Sequence, residues 1–154
     1  MEFYLINLHK AEENIKKIEN LIVLAQISKN KNLMLITLEE IEKAVKNCIN
    51  SILHYEHFLR KINLSNNAKD NFRIFEQKFS KRYLTKQELE YIKEILILTK
   101  EHKKSPTEFL RKEEVIIMTE NQNTLKLSMQ KLNNFLMLIK KLILNIKNKT
   151  KEKV

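Results

Sequence analysis

Lys100-Glu101-His102-Lys103-Lys104-Ser105-Pro106-Thr107-Glu108-Phe109-Leu110-Arg111-Lys112, followed on to Ser128, is the stretch where helical periodicity stops. It holds the only proline of the chain and a dense cluster of positive charge. Ser105 has the character of an N-cap. Pro106 suits the first helical position, where its missing N–H costs nothing, and Glu108 is placed to complete a capping box. A short helix is therefore expected from Pro106, with the preceding helix ending by about Lys104. Next come Val115-Ile116-Ile117-Met118-Thr119, β-branched and apolar, and Thr124-Leu125-Lys126-Leu127-Ser128, which alternates. Two such runs around Glu120-Asn121-Gln122-Asn123 predict a β-hairpin. The chain has no glycine, so an asparagine is expected to take the positive φ of that turn.

On the N-terminal side of this stretch, four helices are predicted. The first covers about Phe3 to Ile27, with Leu8, Ala11, Ile15, Ile18, Ile22 and Ala25 on one stripe. Ser28-Lys29-Asn30-Lys31-Asn32 breaks it. The second carries Leu38, Ile41, Val45, Cys48, Ile52, Tyr55, Leu59 and Ile62 at alternating steps of three and four, a seam expected to pack within a bundle. Thr37 and Glu40 match a capping box for it, and Leu33-Met34-Leu35 can extend it backwards. The third spans about Ala68 to Tyr83, with Phe72, Phe75, Phe79 and Tyr83 inward. These aromatics suit a base-stacking platform as well as a core, and core is the commoner use at this spacing. Thr85 and Glu88 cap the fourth, whose buried face runs through Leu89, Ile92, Ile95, Leu96 and Thr99.

On the C-terminal side, a last helix is predicted from about Met129 to Lys147. Met129, Leu132, Phe135, Leu136, Ile139, Leu142, Ile143 and Ile146 form its wide apolar face. Leu138 and Leu144 fall off that face and are expected at the surface, where they suit a homodimer or a protein partner. From about residue 148 the chain is expected to be a flexible basic tail. The fold class expected is mostly all-α: a single domain over residues 1–154, an up-and-down bundle of four long helices plus one short helix, with a β-hairpin near residues 115–128.

Composition excludes several function classes. With no glycine, neither a P-loop nor a dinucleotide fingerprint is possible, because both need backbone to approach phosphate without a Cβ in the way. The single cysteine, Cys48, rules out an intrachain disulfide and sits in an apolar stripe, where a small buried hydrophobe is expected. No apolar run is long enough to span a membrane, and no secretory leader is visible, so a cytoplasmic protein is expected. His54 and His57 share a helix face at zinc-ligand spacing, but no Cys partner or HExxH pattern accompanies them. No metal or cofactor is expected.

The formal charge of +10 predicts attraction to RNA, DNA, an anionic membrane or an acidic protein and does not choose among them; RNA is the partner expected first. Half of that charge lies from Lys140 onward, where six lysines face one glutamate. The nucleic-acid-binding residues expected are Lys100, Lys103, Lys104, Arg111 and Lys112 in one segment and Lys140, Lys141 and Lys147 in the other. Binding through them would be non-catalytic and poor in base specificity, since no readout motif is present. A catalytic alternative would use His102 as proton shuttle and Arg111 as phosphate clamp, with Glu101 and Glu108 nearby.

The long first helix, Leu38-Glu39-Glu40-Ile41-Glu42-Lys43-Ala44-Val45 leading into the seam, and Arg111 ahead of a terminal helix resemble the HEPN-type helical bundle. That superfamily includes ribonuclease toxins and RNA-processing proteins. Its active members carry an Arg followed four to six residues later by His. Arg60, Arg73, Arg82 and Arg111 all lack that histidine, so the resemblance implies an inactive or repurposed member. A toxin–antitoxin-like or scaffold partner is its interaction-module alternative. Lys103-Lys104-Ser105-Pro106-Thr107-Glu108-Phe109 is also similar to segments of uncharacterised small archaeal proteins.

Overall fold

Leu38, Ile41, Val45, Cys48, Ile52 and Tyr55, the seam of the second helix, are all buried within this one chain. They lie on α2 (Lys31–Phe58), which packs against α1 (Phe3–Ser28) and against three later elements. The computed structural model describes residues 2–59 and 62–151. After α2 come α3 (Ala68–Ile74), a π-helical turn (Phe75–Phe79), α4 (Ser80–Tyr83) and α5 (Lys86–Lys104). Strands β1 (Thr107–Arg111), β2 (Glu114–Met118) and β3 (Thr124–Leu127) follow, and α6 (Met129–Lys151) closes the chain. The protein is therefore mostly helical with one small antiparallel sheet. Among the described residues, no helix is long and apolar enough to cross a membrane.

Local signals explain most of the boundaries. Helix α2 starts earlier than the Thr37–Glu40 pattern suggests. Asn30 is its N-cap, accepting from the Asn32 and Leu33 N–H groups at 2.8 and 3.2 Å. Thr37 is a mid-helix residue whose hydroxyl donates to the Leu33 carbonyl at 2.6 Å. The extra turn is stabilised by burial of Met34 and Leu35. The helix ends at Phe58, so Ile62 is buried from the loop rather than from the seam. The expected helix over Ala68–Tyr83 is interrupted by the π turn, which widens the coil and lets both Phe75 and Phe79 reach the core. Thr85 and Glu88 form the expected capping box, with bonds of 2.8 and 3.1 Å.

Ser105-Pro106-Thr107-Glu108 does not start a helix. Thr107–Arg111 is strand β1, paired antiparallel with β2 from Thr107↔Met118 to Arg111↔Glu114, and the sheet order is β1-β2-β3. The strand wins because β2, with Val115, Ile116 and Ile117 all buried, needs its backbone paired on both edges. Both would-be capping side chains are used elsewhere. Ser105 Oγ lies 2.6 Å from the Met118 carbonyl oxygen, and Glu108 reaches His102. The hairpin expected over residues 115–128 is present as β2–β3. Its positive φ falls on Gln122, not on an asparagine. Asn123 holds the turn instead, its carbonyl accepting from the Thr119 N–H at 2.8 Å.

Helix α6 runs antiparallel to α1, with Lys140 against Glu19 and Lys147 against Glu12. It continues to Lys151, through the segment expected to be a flexible tail, and Thr150 is buried. Leu138 is 7% exposed and belongs to the core, whereas Leu144 is 56% exposed as expected. Leu138 is inward because the face of α6 that meets α1, α2 and α5 is wider than one stripe.

The β1–β2 turn is strained. Lys112 and Glu113 have φ of 51° and 66°, the geometry of a two-residue type I′ turn, which favours Asn-Gly. Replacing both (Lys112→Asn with Glu113→Gly) is expected to raise the melting temperature by roughly 2–4 °C, measured by thermal denaturation. An unchanged or lower melting temperature would contradict this account of the turn.

Candidate nucleic-acid interface

The two basic segments read from the sequence are dispersed rather than joined. Lys103 pairs with Glu42 at 3.1 Å and Lys104 with Glu101 at 3.8 Å. Lys140 pairs with Glu19 at 3.1 Å, Lys141 with Glu88 at 2.9 Å and Lys147 with Glu12 at 3.0 Å. Among the described residues, Lys100, Arg111 and Lys112 make no ion pair. Lys112 borders a hollow that Met129, at the start of α6, also lines. At about 1.5 Å per residue, Lys147 lies about 27 Å along α6 from that hollow. The far part of α6 and the β1–β2 turn therefore do not share one surface.

A different grouping emerges where α2, α3 and α5 meet. A cleft of about 450 Å³ opens between them, within the size range of ligand sites. Ile49, Phe72 and Leu96 supply its apolar surface, and Lys46, Lys69 and Lys100 each come from a different helix. Lys69 and Lys100 are exposed and have no carboxylate partner among the described residues. Lys46 is 3.5 Å from Glu42, which also lines the cleft. Phe72 is half-buried, its ring tilted against the fully buried Phe75 at 6.2 Å. Asn71 fixes this part of α3, donating to the Ser65 carbonyl at 2.7 Å and accepting from the Ser65 N–H at 2.9 Å. A π turn follows at Phe75–Phe79; Phe72 lies at the cleft, whereas Phe75 is fully buried. Such turns recur at functional positions.

Of this group only Lys100 stands out in the sequence. Phe72 reads as core because it falls on the stripe of Phe75 and Phe79. Lys46 and Lys69 carry no local mark, because helix packing alone brings them to one cleft.

His102 is held between two carboxylates. Its Nδ1 is 2.6 Å from Glu108 on β1, and its Nε2 is 2.9 Å from Glu39 on α2. Burial alone lowers the basicity of the ring, but hydrogen bonds to Glu108 and Glu39 outweigh that, and its pKa is raised above the ordinary value. Both ring nitrogens are thus engaged in joining α5, α2 and the sheet. Arg111, three residues along the strand from Glu108, points from the opposite face of β1. The structure does not bring His102 and Arg111 together as an acid–base and phosphate-clamp pair.

The remaining candidate groups have structural partners. Burial pushes the Cys48 thiol far up, leaving it protonated. His54 packs on Phe3 at 5.5 Å, and His57 Nδ1 lies 3.1 Å from the Ile62 carbonyl oxygen. Among the described residues, no three His, Cys, Asp or Glu side chains are grouped to hold a metal ion. The chain matches no known protein family, no curated protein and no solved structure.

Because the folded state holds the His102 proton more tightly than the unfolded chain, its contribution to stability has a definite sign. It is complete below the unfolded value of about 6.5 and is lost as pH rises through the raised folded value. The melting-temperature gap between wild type and His102→Gln is therefore expected to be wide below about pH 6.5 and to shrink as the pH is raised above it. A gap independent of pH would show that the ring acts only through packing.

Proposed function

We propose that this chain is a non-catalytic module that binds single-stranded RNA in the cleft between α2, α3 and α5. The observation that carries the reading is the pairing of two uncompensated cations, Lys69 and Lys100, with the half-buried ring of Phe72 on one apolar surface. Single-strand binders combine these features: cations track the phosphates, and an aromatic face stacks a base. The excess positive charge adds long-range attraction. The reading takes the four long helices as one up-and-down bundle, supported by the antiparallel register of α6 on α1 and of α6 on α5. It fits an inactive, repurposed form of the HEPN-type bundle, since His102 is committed to Glu39 and Glu108.

The charge distribution narrows the binding set. Lys103, Lys104, Lys140, Lys141 and Lys147 each have a carboxylate partner, so binding there would exchange one ion pair for another. Lys69 and Lys100 need no such exchange. Fluorescence anisotropy with a labelled single-stranded RNA across a salt series tests this. Wild type should bind with log K falling linearly against log salt, and Lys69→Ala with Lys100→Ala should reduce the slope by about 1.4, near 0.7 per phosphate contact. Phe72→Ala should weaken binding about five-fold or more at every salt concentration, as a lost stacking contact does. Binding absent at low salt, or a slope lost only on replacing Lys140, Lys141 and Lys147, would overturn the proposal.

A further inference from the structure

Glu42 is an acid inside an otherwise cationic cleft, and its two oxygens are used unequally. Lys46 and Lys103 both approach Oε1, at 3.5 and 3.1 Å. No described group hydrogen-bonds to Oε2. The carboxylate is largely buried, held between two ammonium groups, and lines the cleft beside Lys46 one helical turn further on. A fixed carboxylate oxygen in such a place is an acceptor for N–H groups of whatever occupies the cleft. The neighbouring ammonium is a donor.

We infer that the Glu42–Lys46 pair reads the Watson–Crick edge of an unstacked guanine. This rests on the single-stranded RNA reading above and adds a base preference to it. An unpaired base is read on that edge once it is splayed from its neighbours. Guanine alone presents an acceptor, O6, directly followed by two donors, the N1–H and the N2 amine. The acceptor suits the Lys46 ammonium, and the two donors suit the open lone pairs of Glu42 Oε2. Adenine presents an acceptor at N1 where guanine presents a donor, and so places a lone pair against the carboxylate. Uracil places a carbonyl oxygen on each side of its one N–H. Phe72, on α3 across the cleft, supplies the face against which the base stacks. The sequence, with no readout motif, predicts only poor base specificity. The acceptor–donor pairing arises only because α2 turns Glu42 and Lys46 toward the same cleft.

The test uses the intact chain and uridine hexamers carrying one central guanosine, inosine or adenosine, compared by fluorescence anisotropy at one salt concentration. Inosine keeps O6 and N1–H and lacks only the N2 amine, so the ligand is altered without touching the fold. The guanosine hexamer should bind about five-fold or more tighter than both the inosine and adenosine hexamers. In Glu42→Gln the guanosine-to-inosine ratio should fall to near one. Equal affinities for the guanosine and inosine hexamers in wild type, or an undiminished ratio in Glu42→Gln, would overturn the inference while leaving the general binding site standing. Failure of every hexamer to bind would remove both.

Discussion

Burial of α2 on nearly every side is the constraint on which the rest of the structure depends. Apolar residues cover more of this helix than a single stripe, from Met34 and Leu35 through Ala44 and Ile49 to Leu53. A helix of that kind has to be enclosed by others. It meets α1 on one side, α6 on another, and α5 and the π turn on a third. Its acidic residues fall along the seams between those contacts, and each collects cations from the neighbour. Glu40 faces Lys17 of α1, Glu42 faces Lys103 and Glu39 faces His102 of α5, and Glu56 accepts from Arg82 of α4 at 3.1 Å. Where α1, α4 and α5 meet it, the central helix brings the carboxylates and the outer element the cation, whereas the lysines of α6 pair with α1 and α5.

That pattern governs where positive charge is left over. The lysines that reach a carboxylate become part of the scaffold, and they include Lys140, Lys141 and Lys147 of the basic run on α6. The lysines that do not reach one are the cations able to meet a phosphate without losing a partner. Between α2, α3 and α5 two of these, Lys69 and Lys100, stand around an apolar surface that the bundle does not fill. Counting lysines along the sequence therefore points to different residues than following where the carboxylates are already spent.

Much of the fold was legible because the deciding signals are local. The stripe of α1 and the seam of α2 report helices directly, and Thr85 with Glu88 marks the start of α5. At the start of the sheet, a local signal was overridden by partners elsewhere in the chain. Ser105, Pro106, Thr107 and Glu108 satisfy every requirement of a helix start, yet β2 required an edge partner and His102 required a carboxylate. The I′ turn at Lys112 and Glu113 went unseen because neither residue is a usual choice at positive φ. The π turn at Phe75–Phe79 has no sequence mark either. Of the proposed site, Lys100 was legible as part of a basic run. Lys46, Lys69 and Glu42 were not, because their association exists only once three helices have packed.

The central claim is one of location: RNA is held where α2, α3 and α5 meet and not along the lysines of α6. The most direct measurement is an amide chemical-shift titration of the intact, isotope-labelled chain with a short single-stranded RNA. The account predicts that the large, saturable shifts cluster at Glu42–Asn50, Ala68–Phe72 and Leu96–Lys100, with little change from Lys140 to Lys147. Shifts concentrated on the C-terminal half of α6, with the cleft residues unmoved, would contradict it.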